Sequence, residues 1–175
     1  MSDTPEFSRP FDIRSITERP VAVEANAAER TALASRFDLV AIETLAATLE
    51  LEEDGEAIAA QGTLKAAWVQ ACAVSGDDLP MTIKEPISLR FVPAATLEAS
   101  EQDEEIELEE DELDEIGYHG TSFDLGEAVA QSLALAIDPY ATGPEADEAR
   151  RQHGLVEEGE ADGPLADALR GLRGD

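Results

Sequence analysis

One segment of the chain constrains its folding more than any other: residues 98–115 contain 12 Asp and Glu side chains in 18 positions. Ile106, Leu108 and Leu113 are its sizeable apolar residues. A segment of this composition cannot bury enough apolar surface to offset the entropy lost when a chain is ordered. We therefore expect an acidic, mobile insertion at about residues 98–120 within a folded domain.

The negative charge is concentrated in the middle of the sequence. The 175 residues include 12 Lys and Arg against 40 Asp and Glu, which gives a formal net charge of −28. Residues 91–149 contain 18 acidic residues and no Lys or Arg, whereas residues 1–90 contain 16 acidic and 8 basic residues. Because DNA and anionic membranes are bound through Lys and Arg, this balance disfavours both as partners.

Cysteine content and hydropathy indicate a cytoplasmic protein. Cys72 is the single cysteine, so no intramolecular disulfide can form. No run approaches the roughly 18 apolar residues that a membrane-spanning helix needs, and the first residues lack the pattern of a secretory signal.

Alternation of apolar and polar residues predicts an antiparallel sheet of five or six strands, which can curl toward a barrel. The alternating segments are residues 11–14, 21–24, 41–52, 57–74 and 81–91. In the fourth segment, Gly62 suggests a bulge, and Trp68 and Cys72 fall on the apolar face. Pro86 has no N–H to donate, which favours an edge strand or a bulge at that point.

Two helices are predicted from their starting residues. Asn26 and Glu29 form a capping pair ahead of a helix over about 27–37. Asp124 and Glu127 open a second helix, residues 125–137, whose apolar residues leave only Glu127 and Gln131 as a polar stripe. We expect the second helix to be buried and both helices to pack on the sheet, which gives an α+β fold.

The expected domain covers residues 1–140 and is followed by a flexible acidic tail, residues 141–175. Within the tail, Leu165, Leu169 and Leu172 have helical spacing after Pro164. A helix at 164–173 is too short to be stable alone, so it would fold onto the domain or onto a partner.

The sequence offers no recognisable catalytic or metal-binding motif. Cys72 has only His119 and His153 as candidate bases, and neither spacing matches a cysteine-enzyme pattern. There is no second cysteine and no histidine pair at metal-ligand spacing. We therefore predict a non-enzymatic protein without cofactor or metal, and rank a metal-dependent hydrolase that uses carboxylates as the weakest alternative.

Several segments in a fixed order carry a resemblance to a known family. They are AQGTLKAAWVQACAVSGDDLPMTIKEPISLRFVP at 60–93, the acidic stretch, FDLGEAVAQSLALAIDPY at 123–140, and a leucine-bearing end at 164–173. In this order they resemble the large ribosomal RNA subunit accumulation protein family, also called the YceD family, in its alphaproteobacterial branch. The resemblance covers about residues 10–140 and the end near 164–173.

The resemblance implies a role in ribosome biogenesis, namely accumulation of large-subunit ribosomal RNA, without an established enzymatic activity. Family members often have a C-x-x-C pair at the position of Cys72, but here Ser75 replaces the second cysteine, which argues against a redox or zinc role. The family's D-L-x-E block and following helix correspond to six residues that are expected to be a helix cap and core positions: Asp124, Leu125, Glu127, Leu133, Leu135 and Pro139.

A net charge of −28 is compatible with that role if the partner is a basic ribosomal or ribosome-assembly protein. Ribosomal RNA would then be affected indirectly, through that partner. The candidate partner-binding residues are Glu104, Glu105, Glu107, Glu109, Glu110, Asp111, Glu112, Leu165, Leu169 and Leu172. A merely solubilising acidic surface is the plain alternative.

Direct RNA binding is the alternative from a different class. It would use the less acidic strand-rich part of the chain, with Trp68 or Phe91 stacking on bases. The basic residues assigned to it are Arg14, Arg19, Lys65, Lys84 and Arg90.

Overall fold

The computed structural model describes residues 5–100 and 115–152. It confirms the predicted α+β class. A 3-10 turn, Ile13–Ser15, follows the first strand. The described strands are β1 Pro10–Asp12, β2 Val21–Glu24, β3 Ala41–Asp54, β4 Ala57–Ala71, β5 Asp78–Pro93, β6 Glu115–Tyr118 and β7 Ser122–Asp124, and the described helices are α1 Ala27–Arg36, α2 Ala94–Ser100, α3 Leu125–Ala136 and α4 Ala146–Gln152.

The three long strands with period-two sequences form the centre of a five-stranded sheet, ordered β2-β3-β4-β5-β6. β2 and β4 are antiparallel to β3, but β6 is parallel to β5. The sheet is therefore mostly antiparallel and open, with β2 and β6 at its edges, and it is not closed into a barrel. β1 and β7 form a separate antiparallel pair.

Two local predictions about β4 are wrong. Gly62 lies in regular register opposite Leu49, and the irregularity falls in β3, between Ile42 and Thr44. Glycine is needed at position 62 because a Cβ there would lie 1.8 Å from the carbonyl oxygen of Thr48. β4 also ends at Ala71, so Cys72 begins the following turn and is not part of the strand.

Both predicted helices are confirmed, with the caps that the sequence indicated. The Glu29 N–H donates to Asn26 Oδ1 at 3.0 Å, and the Asn26 N–H donates to Glu29 Oε2 at 2.7 Å, which completes a capping box. Asp124 Oδ1 accepts the N–H groups of Gly126 and Glu127 at the start of α3.

The core lies where α1 and α3 meet the sheet. It is built mostly from aliphatic residues, including Leu33 of α1 and Leu133 of α3, together with Trp68 and Phe91. Leu135 is a correction, because it is 77% exposed and not part of the core. It lies four residues after Gln131 and eight after Glu127, so it belongs to the polar stripe of the helix.

The described residues divide into two compact units, one within residues 5–70 and 80–138 and the other of residues 71–79 and 139–152. In the second unit, the Ala73 N–H donates to the Ala141 carbonyl at 3.0 Å, and α4 lies within the segment that the sequence assigned to the tail.

Among the described helices, none is long and apolar enough to cross a membrane.

Candidate acidic interface

The turn between β3 and β4 carries a compact group of exposed carboxylates. Glu52, Glu53 and Asp54 end β3, and Glu56 lies in the turn, all exposed. Gly55 allows this tight reversal because its φ of 65° lies in the left-handed region. A short hairpin therefore holds four carboxylates at the end of two long strands.

The connection from β5 to β6 returns to the same end of the sheet. β5 pairs with β6 in parallel, with Arg90 opposite Glu115 and Pro93 opposite Tyr118. α2 follows β5 directly and packs against β6, where a Cβ on Gly117 would lie 3.0 Å from Leu97 Cδ1. β6, which follows the acidic sequence directly, therefore begins beside Arg90 of β5.

Contacts of two side chains join the hairpin to β6. Arg90 Nη1 lies 2.8 Å from Asp54 Oδ2, and its Nε lies 3.4 Å from Glu115 Oε1, within ion-pair range but without hydrogen-bond geometry. The Tyr118 hydroxyl donates to the carbonyl of Glu56 at 3.2 Å. The hairpin carboxylates and the start of β6 thus form one surface.

We call this surface the acidic tip; it consists of Glu52, Glu53, Asp54, Glu56 and Glu115. Its carboxylates outnumber the Arg90 guanidinium five to one, and Arg90 is already engaged by two of them. The surface therefore keeps a negative potential directed at solvent. At physiological salt that potential decays over about 8 Å, which suits contact with Lys and Arg of a partner.

Within residues 5–97 and 115–152, no group of three or more His, Cys, Asp or Glu side chains is placed to hold a metal ion. The carboxylates of the acidic tip are solvated and spread over two strands and a turn. Hard cations need oxygen ligands held in a fixed geometry.

The ten residues that the sequence assigned to partner binding lie outside the described residues. They are Glu104, Glu105, Glu107, Glu109, Glu110, Asp111, Glu112, Leu165, Leu169 and Leu172. The carboxylates of the β3–β4 turn were not among the residues assigned from the sequence. Their proximity to Glu115 could not be predicted, because the parallel pairing of β5 with β6 has no local sequence signal.

The structure corrects the base-stacking part of the RNA hypothesis. Trp68 is 1% exposed and its indole N–H donates to Gln70 Oε1 at 2.8 Å, while Phe91 is 0% exposed and stacks on Phe123. Neither ring can stack on a base. Two of the five cations are also engaged internally, since Arg14 pairs with Asp12 at 2.6 Å and Arg90 pairs with Asp54.

The remaining cations of that hypothesis are exposed. Lys65 and Lys84 lie on the outer face of β4 and β5, because the buried positions of these strands alternate with them, and Arg19 precedes β2. They provide positive charge without an accompanying aromatic surface from Trp68 or Phe91.

The carboxylates of the D-L-x-E block have structural partners, as expected for a helix cap. Asp124 accepts hydrogen bonds from the Ser8 hydroxyl at 2.5 Å and from the Arg9 N–H at 2.7 Å, in addition to its two cap bonds. Glu127 pairs with Arg36 at 2.8 Å. We call this region, where the N-terminal segment meets α1 and α3, the capped junction.

Cys72 is buried in a tight turn of the second unit. Its Sγ accepts the N–H groups of Ser75 and Gly143, each at 3.4 Å. Hydrogen bonds from the Ser75 side chain and then from the backbone N–H groups of Ser75, Gly143 and Val74 lower the pKa of the Cys72 thiol to about 6. Cys72 therefore lies in a turn, not on the apolar strand face predicted from the sequence, and its sulfur accepts two hydrogen bonds there.

Comparison with known proteins adds one match. The family described as large ribosomal RNA subunit accumulation protein YceD matches residues 60–168, which include most of β4, all of β5, the acidic insertion and α3. No curated protein and no solved structure matches the chain.

Proposed function

Because the chain belongs to the large ribosomal RNA subunit accumulation protein YceD family, we propose that it is a non-enzymatic ribosome biogenesis factor that binds a basic ribosomal or assembly protein. Through this partner it supports accumulation of large-subunit ribosomal RNA. The partner contacts the acidic tip and the acidic residues 98–114 that precede Glu115 in the sequence.

The position of the acidic tip is the observation that supports this proposal. Arg90 and Tyr118 hold the hairpin carboxylates beside Glu115, the first residue after the insertion. Residues 98–115 contribute 12 carboxylates. The hairpin carboxylates therefore lie beside Glu115, the residue at which the acidic sequence ends, although more than 40 residues separate the two in the chain.

Charge complementarity gives such a factor a physical role. Proteins that assemble onto RNA need Lys and Arg to displace the counterions of the phosphates, and those side chains are free and strongly charged before assembly. An acidic surface occupies them, speeds encounter and disfavours wrong partners. RNA has a higher charge density than a protein surface, so it can displace the factor when the complex reaches its site.

A pull-down separates protein partners from RNA partners. The full chain is used to capture partners from native lysate with and without RNase, in moderate salt, and bound proteins are identified by mass spectrometry. We expect basic large-subunit proteins to be recovered in both arms. Recovery that disappears with RNase would instead favour direct RNA binding.

A variant of the acidic insertion tests whether the partner contacts this part of the chain. Seven carboxylates of the insertion are replaced by their amides, at Glu104, Glu105, Glu107, Glu109, Glu110, Asp111 and Glu112. We expect this variant to lose most of the recovery, and to behave like the wild type in thermal unfolding. Unchanged recovery would mean that the insertion only solubilises the protein.

A further inference from the structure

An open groove of about 340 Å³ lies between β5 and the last turns of α3. Leu64, Ile87 and Leu89 line it and are almost fully buried. The side of the groove formed by α3 includes Leu135, flanked by Ser132 and Ala136. Grooves of this size are large enough to hold a small ligand or an anchoring side chain of a partner.

Leu135 is an apolar residue that the fold leaves 77% exposed. It follows Glu127 and Gln131 on the polar stripe of α3, where a polar residue would be equally compatible with the helix. A single exposed leucine is common on protein surfaces. Here, however, it extends the apolar lining of a groove, so its side chain can be buried by anything that enters.

The polar groups of the groove define the chemistry of its occupant. The Ser132 hydroxyl donates to the Ala128 carbonyl at 3.0 Å, so it is already satisfied within α3. Glu85 is exposed and lies on the same face of β5 as Ile87 and Leu89, and no ion pair is found for it among the described residues. The groove therefore has aliphatic side chains at its base and polar groups, including the Glu85 carboxylate, at its rim.

The backbone of β5 offers a second kind of contact. β6 pairs with β5 only over Arg90–Pro93. In the described ranges, no strand adjoins the outer edge of residues 85–89, which line the groove. Exposed strand edges bind extended segments by adding a strand, although Pro86 cannot donate a hydrogen bond to one.

We propose that this groove binds an extended basic segment of the partner protein, with an apolar side chain against Leu135 and a Lys or Arg beside Glu85. This inference rests on the proposed function and adds the apolar contact that a purely electrostatic surface lacks. Charge selects the occupant: the charged residue that lines the groove is Glu85, and a second copy of this chain would bring a further net charge of −28 to it.

Two matched peptides test the groove on the full-length chain. One is a synthetic, Lys-rich peptide with Leu at two alternate positions; the other has the same charge, with Ser in place of both Leu residues. Binding is measured by fluorescence anisotropy. We expect the Leu peptide to bind about tenfold more tightly, in line with burial of an aliphatic side chain, and Leu135→Ser to remove most of that difference.

Val40→Ser is the matched control, because Val40 is also exposed, at 55%, and does not line the groove. It should retain the preference for the Leu peptide. Glu85→Gln should weaken binding of both peptides two- to threefold, whereas Glu43→Gln, the same change at another exposed position, should have less effect.

The outcomes separate this inference from the proposed function. If neither peptide binds the wild type, both the proposed function and the inference are wrong. If both peptides bind equally, or if the preference survives Leu135→Ser, the groove is not the site, although the acidic surface can still bind. A dimer in analytical ultracentrifugation that dissociates upon Leu135→Ser would also overturn the inference, because a second copy would then occupy the groove.

Discussion

Carboxylates have opposite roles in the capped junction and in the acidic tip. In the capped junction, Asp124 accepts four hydrogen bonds and Glu127 pairs with Arg36. In the acidic tip, two of the five carboxylates, those of Asp54 and Glu115, contact Arg90, and the other three have no ion pair among the described residues. Acidic residues at the junction therefore stabilise the fold, whereas those at the tip remain largely uncompensated.

Glycine substitutions give the largest expected contrast. A Cβ on Gly126, in the capped junction, would lie 2.6 Å from the Phe7 carbonyl oxygen and 2.9 Å from the Arg9 nitrogen. Gly126→Ala should therefore lower the free energy of unfolding by about 3 kcal/mol, even after a helix-propensity gain of about 1 kcal/mol. Urea denaturation measures this change.

Gly55→Ala, at the acidic tip, is the matched control. Nothing lies within 4 Å of a Cβ there, so only the positive φ is penalised. We expect a loss of about 1 kcal/mol. Equal losses at the two glycines would contradict the distinction between a packed junction and an open tip.

Removal of the Asp124 carboxylate should have the next largest effect. Asp124→Ala removes the helix cap and the acceptor for Ser8 and Arg9, so we expect a loss of about 2 kcal/mol in unfolding free energy. Asp124→Asn retains one side-chain oxygen as an acceptor and should lose about half as much. If Asp124→Ala changed stability no more than an exposed Glu43→Ala, the cap would not hold the junction together.

Acid should weaken the junction through Glu29. Two hydrogen bonds from the Arg9 guanidinium, and one from the Asn26 N–H, hold the pKa of Glu29 below its ordinary value of 4.5. This contribution is therefore present above pH 4.5 and is lost as the pH falls through the lower, folded-state pKa. We expect a loss of less than about 1 kcal/mol, because the pair is partly exposed.

The urea midpoint, measured across this pH range, checks the prediction. Glu29→Gln should flatten the pH dependence, and Glu43→Gln, at an exposed position without a described partner, should not. Parallel curves for the wild type and Glu29→Gln would show that the ion pair does not contribute to stability.

Neutralising the tip should have the smallest effect on stability. In the variant E52Q/E53Q/E56Q, three carboxylates without described ion-pair partners become amides, while Asp54 and Glu115 keep their contacts with Arg90. We expect the unfolding free energy to change by less than about 0.5 kcal/mol. A large loss would mean that these carboxylates stabilise the hairpin.

The same contrast explains what could be predicted from the sequence. The cap hydrogen bonds of Asn26, Glu29 and Asp124 join groups two or three residues apart, so the two main helices and their caps followed from local patterns. Long alternating segments likewise predicted β3, β4 and β5. The prediction of a bulge at Gly62 was wrong. Glycine is required there because β4 lies close to the Thr48 carbonyl of β3, and no local pattern encodes that approach.

The candidate site was less accessible from the sequence. The excess of acidic residues at 98–115 was evident from the sequence. The proximity of the β3–β4 turn to Glu115 was not, because it depends on the parallel β5–β6 pair. Leu135 was assigned to the core from the apolar composition of α3, because hydropathy alone did not place it on the stripe of Glu127 and Gln131. Both errors concern how elements meet, which is determined by tertiary packing.

Binding to purified, RNA-free basic proteins of the large ribosomal subunit tests the central claim most directly. The wild type is compared with E52Q/E53Q/E56Q and with a control of equal net charge, E18Q/E24Q/E43Q, whose carboxylates are exposed elsewhere in the same unit. The account predicts that the tip variant binds at least one of these proteins about five- to tenfold more weakly, and that the control loses less than about twofold. Equal weakening by both variants, or no binding by the wild type, would contradict it.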